Sequence, residues 1–235
     1  MSYKELVLFI PYIFTASLHL LFCLKQNKHP ADILKLLLMP SLFIPVLYFL
    51  FNVHTRTPSL LLLAGALSGA WAGDYFLIKP VSKKKFFYGL IAFFLSHVCY
   101  ITLFFPLLLY SPLPPLLAVS AAVCYAVFTV LIYVIIGRPK GLRGAASILY
   151  TVMLFTLQYT CLTPLLSKIL HKQPIEASLV FLIAGIVLFT ISDILLACSL
   201  FKKEFYNSRF YVMSTYIAAQ LFLVYGGLLS LTGVQ

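Results

Sequence analysis

Long apolar runs separated by short polar segments make up nearly the whole chain. Each run is close to the ~20 residues that a helix needs to cross the hydrocarbon core of a bilayer. Because backbone in lipid must satisfy its own hydrogen bonds, the pattern predicts an all-α, polytopic membrane protein. It indicates an eight-helix transmembrane bundle with spans at residues 5–24, 34–52, 59–78, 86–109, 113–136, 145–169, 177–200 and 210–231.

The composition agrees with a membrane protein. Of the 235 residues, 62% are hydrophobic and 10% are charged, and the mean hydropathy is +1.02, far from the usual range of soluble domains. The first apolar run lacks a basic leader and a clear small-residue cleavage site, so we expect a retained span and not a removed signal. The five cysteines form no CxxC pair and lie in apolar runs, which is typical of small buried hydrophobes.

The net charge of +11 does not indicate nucleic-acid binding, because the basic residues cluster between apolar runs, as the positive-inside rule describes. Thirteen of the 17 lie in or beside the segments that follow the first, third, fifth and seventh spans. We therefore expect those segments to be cytoplasmic and both termini to be outside. The short connections favour a plasma membrane of bacterial type, with an endomembrane as the alternative.

Two segments of the chain resemble each other at an offset of 119 residues. Asp74 matches Asp193, and the lysine pair that follows each aspartate is matched as well. Four spans separate the copies, so the halves would have the same topology, as in parallel transmembrane repeats. We predict a single transmembrane domain over residues 1–235 with pseudo-repeats at about 1–110 and 111–235. Chance similarity between two helix–basic loop–helix units is the alternative.

Only two of the six acidic residues, Asp74 and Asp193, lie inside predicted spans. An ionised aspartate that faces lipid costs roughly 2.5–3.5 kcal/mol or more, so both should face the bundle interior or a wet cavity. If they share one cavity, burial and mutual repulsion favour protonation of one of them. One neutral acid and one carboxylate would suit general acid and general base catalysis. The alternative is a structural clamp in which each aspartate pairs with Lys79 or Lys202, or caps a neighbouring helix.

Further polar residues lie in or at the ends of the predicted spans. His97 and Tyr100 are three residues apart and Tyr216 and Gln220 are four apart, so each pair shares a helix face. Each has a structural alternative: packing or an interfacial belt for a tyrosine, and a hydrogen-bonded core position for the histidine. Lys35 and Tyr150 lie at the edge of their spans, where snorkelling alone would explain the lysine.

We expect no metal and no cofactor. His19 and His97 are the in-span histidines, and they form neither HxxxH nor HExxH. Two histidines and two aspartates could in principle bind zinc, but His19 has no evident helical partner. The chain contains no GxSxG, P-loop or Rossmann motif, and no cysteine has a convincing partner base.

Five blocks of the chain, from the second predicted span to the eighth, resemble the YhhN-like lysoplasmalogenase family. They are KLLLMP (35–40), GDYFL (73–77), FFYGLIAFFLSHVCYI (86–101), LFTISDILLA (188–197) and STYIAAQLF (214–222). The resemblance implies an eight-span hydrolase acting on a lysophospholipid. Such enzymes cleave the vinyl ether of lysoplasmalogens, releasing a fatty aldehyde and glycerophospho-ethanolamine or glycerophosphocholine.

The implied chemistry suits a pair of carboxyl groups. Protonation of a vinyl ether at carbon gives an oxocarbenium-like cation, which water then attacks, much as in glycoside hydrolysis. Our hypothesis makes Asp74 and Asp193 this catalytic pair. Lys35 or the cations of the basic loops would hold the phosphate, and His97, Tyr100, Tyr216 and Gln220 would orient water and the glycerol oxygens. Tyr150, at a similar depth to Lys35, is the remaining expected substrate-binding residue.

Two other functions fit the same residues. Parallel repeats with intramembrane carboxylates also occur in proton-coupled transporters, here of a lipid or small amphiphile. The third alternative is a membrane protein that binds lipid without turnover. Aldehyde release in detergent would favour the hydrolase, because a transporter needs a sealed membrane and a gradient.

Overall fold

The structure, a computed structural model, describes residues 3–52, 56–78, 82–111, 113–135, 141–201 and 205–233. These residues form α-helices joined by short turns, which confirms the predicted all-α class. The helices are α1 (Tyr3–Val7), α2 (Ile10–Leu24), α3 (Lys28–Asn52), α4 (Thr57–Phe76), α5 (Lys83–Leu109), α6 (Pro115–Ile135), α7 (Gly141–Leu170), α8 (Ala177–Phe201) and α9 (Ser208–Thr232). Several cations behind the predicted orientation lie outside the described residues, namely Lys79, Arg138, Lys140, Lys202 and Lys203.

Each of the eight predicted spans overlaps one long helix, from α2 to α9. Seven stretches of the described residues are long and apolar enough to cross a membrane: Glu5–Leu24, Lys28–Asn52, Lys84–Leu109, Pro115–Ile135, Ser147–Leu170, Ala177–Leu200 and Ser208–Thr232. The remaining long helix, α4, has 20 residues, and its glycines, serines and Asp74 make it less apolar. Elsewhere large apolar side chains such as Phe14 and Phe51 are exposed, which suits contact with lipid.

Prolines explain two differences between the predicted and observed helix boundaries. The first predicted span divides into α1 and α2 at Leu8 and Phe9, because Pro11 has no N–H to continue the helical ladder. The helix predicted to start at residue 34 begins already at Lys28. Pro30 lies in its first turn, where a backbone N–H would have no helical partner anyway.

The chain forms two compact units. Unit 1 comprises Met1–Leu103 and Val224–Gln235, and unit 2 comprises Phe104–Leu223. Within unit 1, α2 packs on α3 and α3 on α4; within unit 2, α6 packs on α7 and α7 on α8. Consecutive helices joined by short turns run antiparallel, so both units are built from helical hairpins. The division into sequence repeats stays a prediction.

Small residues bring α4 and α5 close together in unit 1. Gly65, Gly69 and Gly73 recur every four residues along one face of α4, as in the small-xxx-small interfaces of membrane helices. A Cβ on Gly69 would lie 2.8 Å from the carbonyl oxygen of Ala92, and one on Gly73 would lie 2.5 Å from the Phe93 ring. The close approach therefore places the end of α4, which carries Asp74, directly against α5.

Candidate active site

Asp74 lies in the last turn of α4, and its side chain forms an ion pair with Lys35 from α3. The Lys35 Nζ atom is 3.1 Å from the Asp74 Oδ1 atom, and the two side chains are only 13% and 3% exposed. Each charge thus has its counter-ion inside the unit, which offsets part of the cost of burial. An adjacent ammonium group favours the ionised form of a carboxyl group. The α3–α4 contact therefore pairs the Asp74 carboxyl group with a cation.

Trp71 ties the same two helices together one turn earlier. The Leu36 carbonyl oxygen loses its usual helical donor, because the residue four positions later is Pro40, which has no N–H. The indole Nε1–H of Trp71 donates to this oxygen over 3.0 Å. The hydrogen bond and the ion pair act on neighbouring turns, so together they fix the register of α3 against α4. Sequence reasoning missed Trp71, although the proline in KLLLMP signals a carbonyl in need of a donor.

Two buried tyrosines belong to the same polar group. Tyr12 on α2 is 0% exposed and Tyr100 on α5 is 1% exposed. Tyr12 lies within electrostatic range of both Asp74 and Tyr100. Tyr100 was a predicted site residue, whereas Tyr12 was not, because nothing in an N-terminal apolar run indicates which distant helix a tyrosine will face.

His97 is buried on α5, one turn from the α4–α5 contact. Its Nδ1 atom lies 2.7 Å from the carbonyl oxygen of Phe93, and the Phe93 ring is the group that Gly73 packs against. Since a carbonyl oxygen can only accept, Nδ1 carries the proton and the tautomer of His97 is fixed.

The expectation that His19 lacks a helical partner was wrong. Its Nε2 atom lies 3.3 Å from the Sγ atom of Cys23, one turn later on α2. Its Nδ1–H donates to the carbonyl oxygen of Ala31 at 2.9 Å. The buried imidazole therefore bonds a thiol on its own helix and the backbone of α3, and the spacing of four between His19 and Cys23 was visible in the sequence.

Asp193 lies on α8 in unit 2, where Tyr150 of α7 is its hydrogen-bond donor. The Tyr150 hydroxyl donates to the Oδ2 atom of Asp193 over 2.8 Å, and both residues are partly buried. This partner is neutral, whereas the partner of Asp74 is a cation. The alternative clamp on Asp193, Lys202, lies outside the described residues.

Helix α9 packs against α8 beside Asp193. The hydroxyl of Ser192 donates to the carbonyl oxygen of Val212 over 3.0 Å. The Tyr216 ring meets the Phe189 ring edge-on, with centroids 5.7 Å apart, and Gln220 is 0% exposed. Both predicted polar residues of α9 are therefore on its buried side.

The predicted site residues fall into two groups, each inside one unit. Unit 1 holds Lys35, Asp74, His97 and Tyr100, and unit 2 holds Tyr150, Asp193, Tyr216 and Gln220. Each unit contains a carboxyl group that has a side-chain partner on a neighbouring helix. Together with the membrane-length helices, this defines an all-α polytopic membrane protein with polar sites among its helices. The chain belongs to the YhhN family, whose model matches residues 31–227. This confirms the resemblance seen from the second predicted span to the eighth.

A curated relative extends the comparison to nearly the whole chain. The chain is similar to lysoplasmalogenase TMEM86B of Mus musculus, with 29% identity over 222 residues. The similarity covers 93% of this chain and 85% of the mouse protein. No solved structure matches the chain.

Removing only one partner of the Lys35–Asp74 pair should destabilise the folded protein more than removing both. Lys35→Met leaves a buried carboxylate without its counter-ion, which costs roughly 3–5 kcal/mol, whereas Lys35→Met with Asp74→Asn leaves no charge to bury. We expect the thermal unfolding midpoint in detergent to fall strongly in the single variant and to recover in the double variant.

Lys168 provides the matched control, because it forms a 2.7 Å ion pair with Glu176 in which the side chains are 22% and 34% exposed. A more exposed pair contributes about 0–1 kcal/mol, so Lys168→Met should shift the midpoint little. A double Lys35/Asp74 variant that is less stable than either single variant would contradict the ion pair.

Proposed function

We propose that this protein is an intramembrane hydrolase that cleaves the vinyl ether bond of lysoplasmalogens. Family membership and the similarity to a protein named lysoplasmalogenase over 93% of the chain support this proposal. The observation that carries it further is the presence of two intramembrane carboxyl groups with unlike partners, a lysine for Asp74 and a tyrosine for Asp193. The proposed mechanism uses one carboxyl group as a proton donor and the other as a carboxylate.

The chemistry runs in three steps. A general acid transfers a proton to the β-carbon of the vinyl ether, which gives an oxocarbenium cation. Water adds to the cationic carbon and loses a proton to a base, which gives a hemiacetal. The hemiacetal then breaks its carbon–oxygen bond, the hydroxyl proton moves to the leaving oxygen, and a fatty aldehyde and a glycerophospho-alcohol separate.

Asp74 suits the part of the permanent carboxylate. Its ion pair with Lys35 favours the ionised form, so it can stabilise the oxocarbenium cation and accept a proton from attacking water. In this mechanism the main role of Lys35 is to keep Asp74 ionised. Lys35 contributes to binding the substrate phosphate only as a secondary role. The buried Tyr100 and His97 on α5 are proposed to orient water and the glycerol oxygens.

Asp193 suits the part of the general acid. Burying a carboxyl group in an apolar region costs less free energy when the group is neutral. The described partner of Asp193, the Tyr150 hydroxyl, is also neutral. Because Tyr150 donates to Oδ2, the other carboxyl oxygen is available to carry the transferable proton. Tyr216 and Gln220 of α9 are proposed to contact the substrate on this side.

Orientation completes the proposal. We propose that the basic connections after α2, α4, α6 and α8, which follow the first, third, fifth and seventh spans, are cytoplasmic, as the positive-inside rule predicts. In that arrangement Asp74 and Asp193, each near a cytoplasmic helix end, would act on substrate from the inner leaflet.

Replacing either aspartate should abolish aldehyde release. Asp74→Asn and Asp193→Asn keep the side-chain shape but remove the acid–base function, which should lower the rate by about a hundredfold or more. The measurement is aldehyde release from a lysoplasmalogen by purified protein in detergent.

Glu176→Gln is the control for loss of a carboxylate. Burial acts to raise the pKa of Glu176, but the hydrogen bond from Lys168, a backbone hydrogen bond and the positive charge of Lys168 together outweigh it. The pKa is therefore lowered, and the group is ionised at neutral pH. This variant should keep full activity. A folded Asp74→Asn/Asp193→Asn protein with wild-type turnover would exclude the mechanism.

Tyr150→Phe tests the positioning of the general acid. Loss of the hydroxyl leaves Asp193 without its orienting donor, so kcat should fall about tenfold or more while KM changes little. Tyr159→Phe, also on α7, is the matched control, because its ring contact with Tyr125 does not need the hydroxyl. Equal kinetics for the Tyr150→Phe variant and the wild type would remove Tyr150 from the mechanism.

Cysteine labelling tests the orientation. In a background without the five native cysteines, Asn27→Cys lies in the α2–α3 connection and Gln173→Cys in the α7–α8 connection, and both positions are exposed. A membrane-impermeant maleimide should label Gln173→Cys in intact cells and Asn27→Cys only after permeabilisation. The reverse pattern would invert the proposed topology.

A further inference from the structure

A recess of about 150 Å³ opens in unit 2 among α6, α7 and α8. Its lining residues are Tyr125, Gln158, Cys161, Leu162, Ile183, Ile186 and Val187. An engineered apolar cavity of this size takes up benzene. The volume therefore suits a short segment of hydrocarbon and is too small for a phosphorylated head group.

The amide of Gln158, which lines the recess, is bonded to the neighbouring helix. The amide nitrogen of Gln158 on α7 donates to the hydroxyl of Thr190 on α8. That hydroxyl in turn donates to the carbonyl oxygen of Ile186 over 2.9 Å. These bonds turn the Gln158 amide nitrogen toward α8, and four of the seven lining residues are the aliphatic Leu162, Ile183, Ile186 and Val187.

The recess reaches the surface of unit 2 at Val187, on a helix long and apolar enough to cross a membrane. Val187 at its edge is 49% exposed, whereas Ile186 beside it is 2% exposed. An occupant that enters from the membrane would pass from the exposed side chain to the buried one. A hydrocarbon chain can make that passage without losing hydration, and an ion cannot.

The recess lies on the same pair of helices as Asp193 and Tyr150. Gln158 follows Tyr150 by about two helical turns on α7, and Ile186 precedes Asp193 by about two turns on α8. Since consecutive helices run antiparallel, both displacements point the same way along the hairpin. Two turns correspond to roughly 11 Å, so a chain whose reactive bond lies at Asp193 would reach the recess.

We infer that this recess receives the hydrocarbon chain of the lysophospholipid substrate, with the chain held between α7 and α8. The inference rests on the proposed function, because it places the reactive end of the substrate at Asp193. Leu162, Ile183 and Ile186 then set which chain lengths are accepted. The head group lies at the other end of the substrate, beyond the Tyr150–Asp193 contact.

Photolabelling tests occupancy without turnover. The probe is an ester-linked lysophosphatidylethanolamine with a diazirine midway along its chain, incubated with the protein in phosphatidylcholine nanodiscs. We expect crosslinks on the peptides that contain residues 158–162 and 183–187. Unlabelled lysolipid should compete, whereas glycerophosphoethanolamine, which has no chain, should not.

Filling the recess supplies the variant test. Ile183→Trp adds bulk at a half-buried lining position, and it should remove those crosslinks. Val180→Trp is the matched control, because Val180 lies on the same helix, is 54% exposed and does not line the recess. Crosslinks that persist in Ile183→Trp, or that lie outside both peptides, would overturn the inference.

Chain-length selectivity tests the same site through turnover. In Ile183→Trp, kcat/KM for a long alkenyl chain should fall relative to that for a short one by about tenfold or more. Leu162→Ala enlarges the recess and should shift the preference toward longer or branched chains. The inference would also be overturned if Ile183→Trp lowered kcat/KM equally for all chain lengths and Leu162→Ala left the chain-length preference unchanged.

The two proposals fail in different ways. Crosslinking to the recess without aldehyde release from any lysoplasmalogen would reject the hydrolase and leave the chain-binding site. Aldehyde release that depends on Asp193, combined with crosslinks elsewhere, would keep the hydrolase and reject the recess.

Discussion

The organisation of this protein depends on the cost of placing a carboxyl group inside a membrane. A charge that faces lipid is expensive, so a carboxyl group there must find a partner within the protein. The fold provides such a partner for each of two carboxyl groups, and the two partners differ in kind. Lys35 supplies a cation to Asp74 within a buried ion pair, and Tyr150 supplies a neutral hydrogen-bond donor to Asp193. The difference between the partners makes two identical side chains chemically unlike.

Close helix contacts place these partners. In the α3–α4 pair, Pro40 leaves the Leu36 carbonyl oxygen available for Trp71, and this bond lies one turn from the ion pair. Between α4 and α5, glycines without side chains let the end of α4 approach the Phe93 ring. Prolines and glycines that would weaken a helix in water are tolerated in membrane helices, where neighbouring helices satisfy the freed groups. Here they determine which residues meet.

The two aspartates also share a local setting that bears on the predicted repeat. The residue before Asp74, Gly73, packs on Phe93 of the following helix. The residue before Asp193, Ser192, bonds to Val212 of the following helix. Ser192 lies 119 residues after Gly73, and Val212 lies 119 residues after Phe93, so the two contacts correspond in sequence. The correspondence is what a duplicated helical hairpin would leave behind, whereas the partners on the preceding helices, Lys35 and Tyr150, are not related by this offset.

Hydropathy alone determined the all-α class, the eight long helices and the two in-span aspartates, because apolar length and the rarity of intramembrane acids are properties of the chain itself. Helix ends near Pro11 and Pro30 needed the local geometry of proline. Only the tertiary structure decided the partners. Lys35 could have snorkelled to the surface, Tyr12 gave no sign that it would approach Asp74, and His19 was judged to lack the partner that Cys23 provides. Spacing defines a helix face, but which face meets which neighbour depends on packing between helices far apart in sequence.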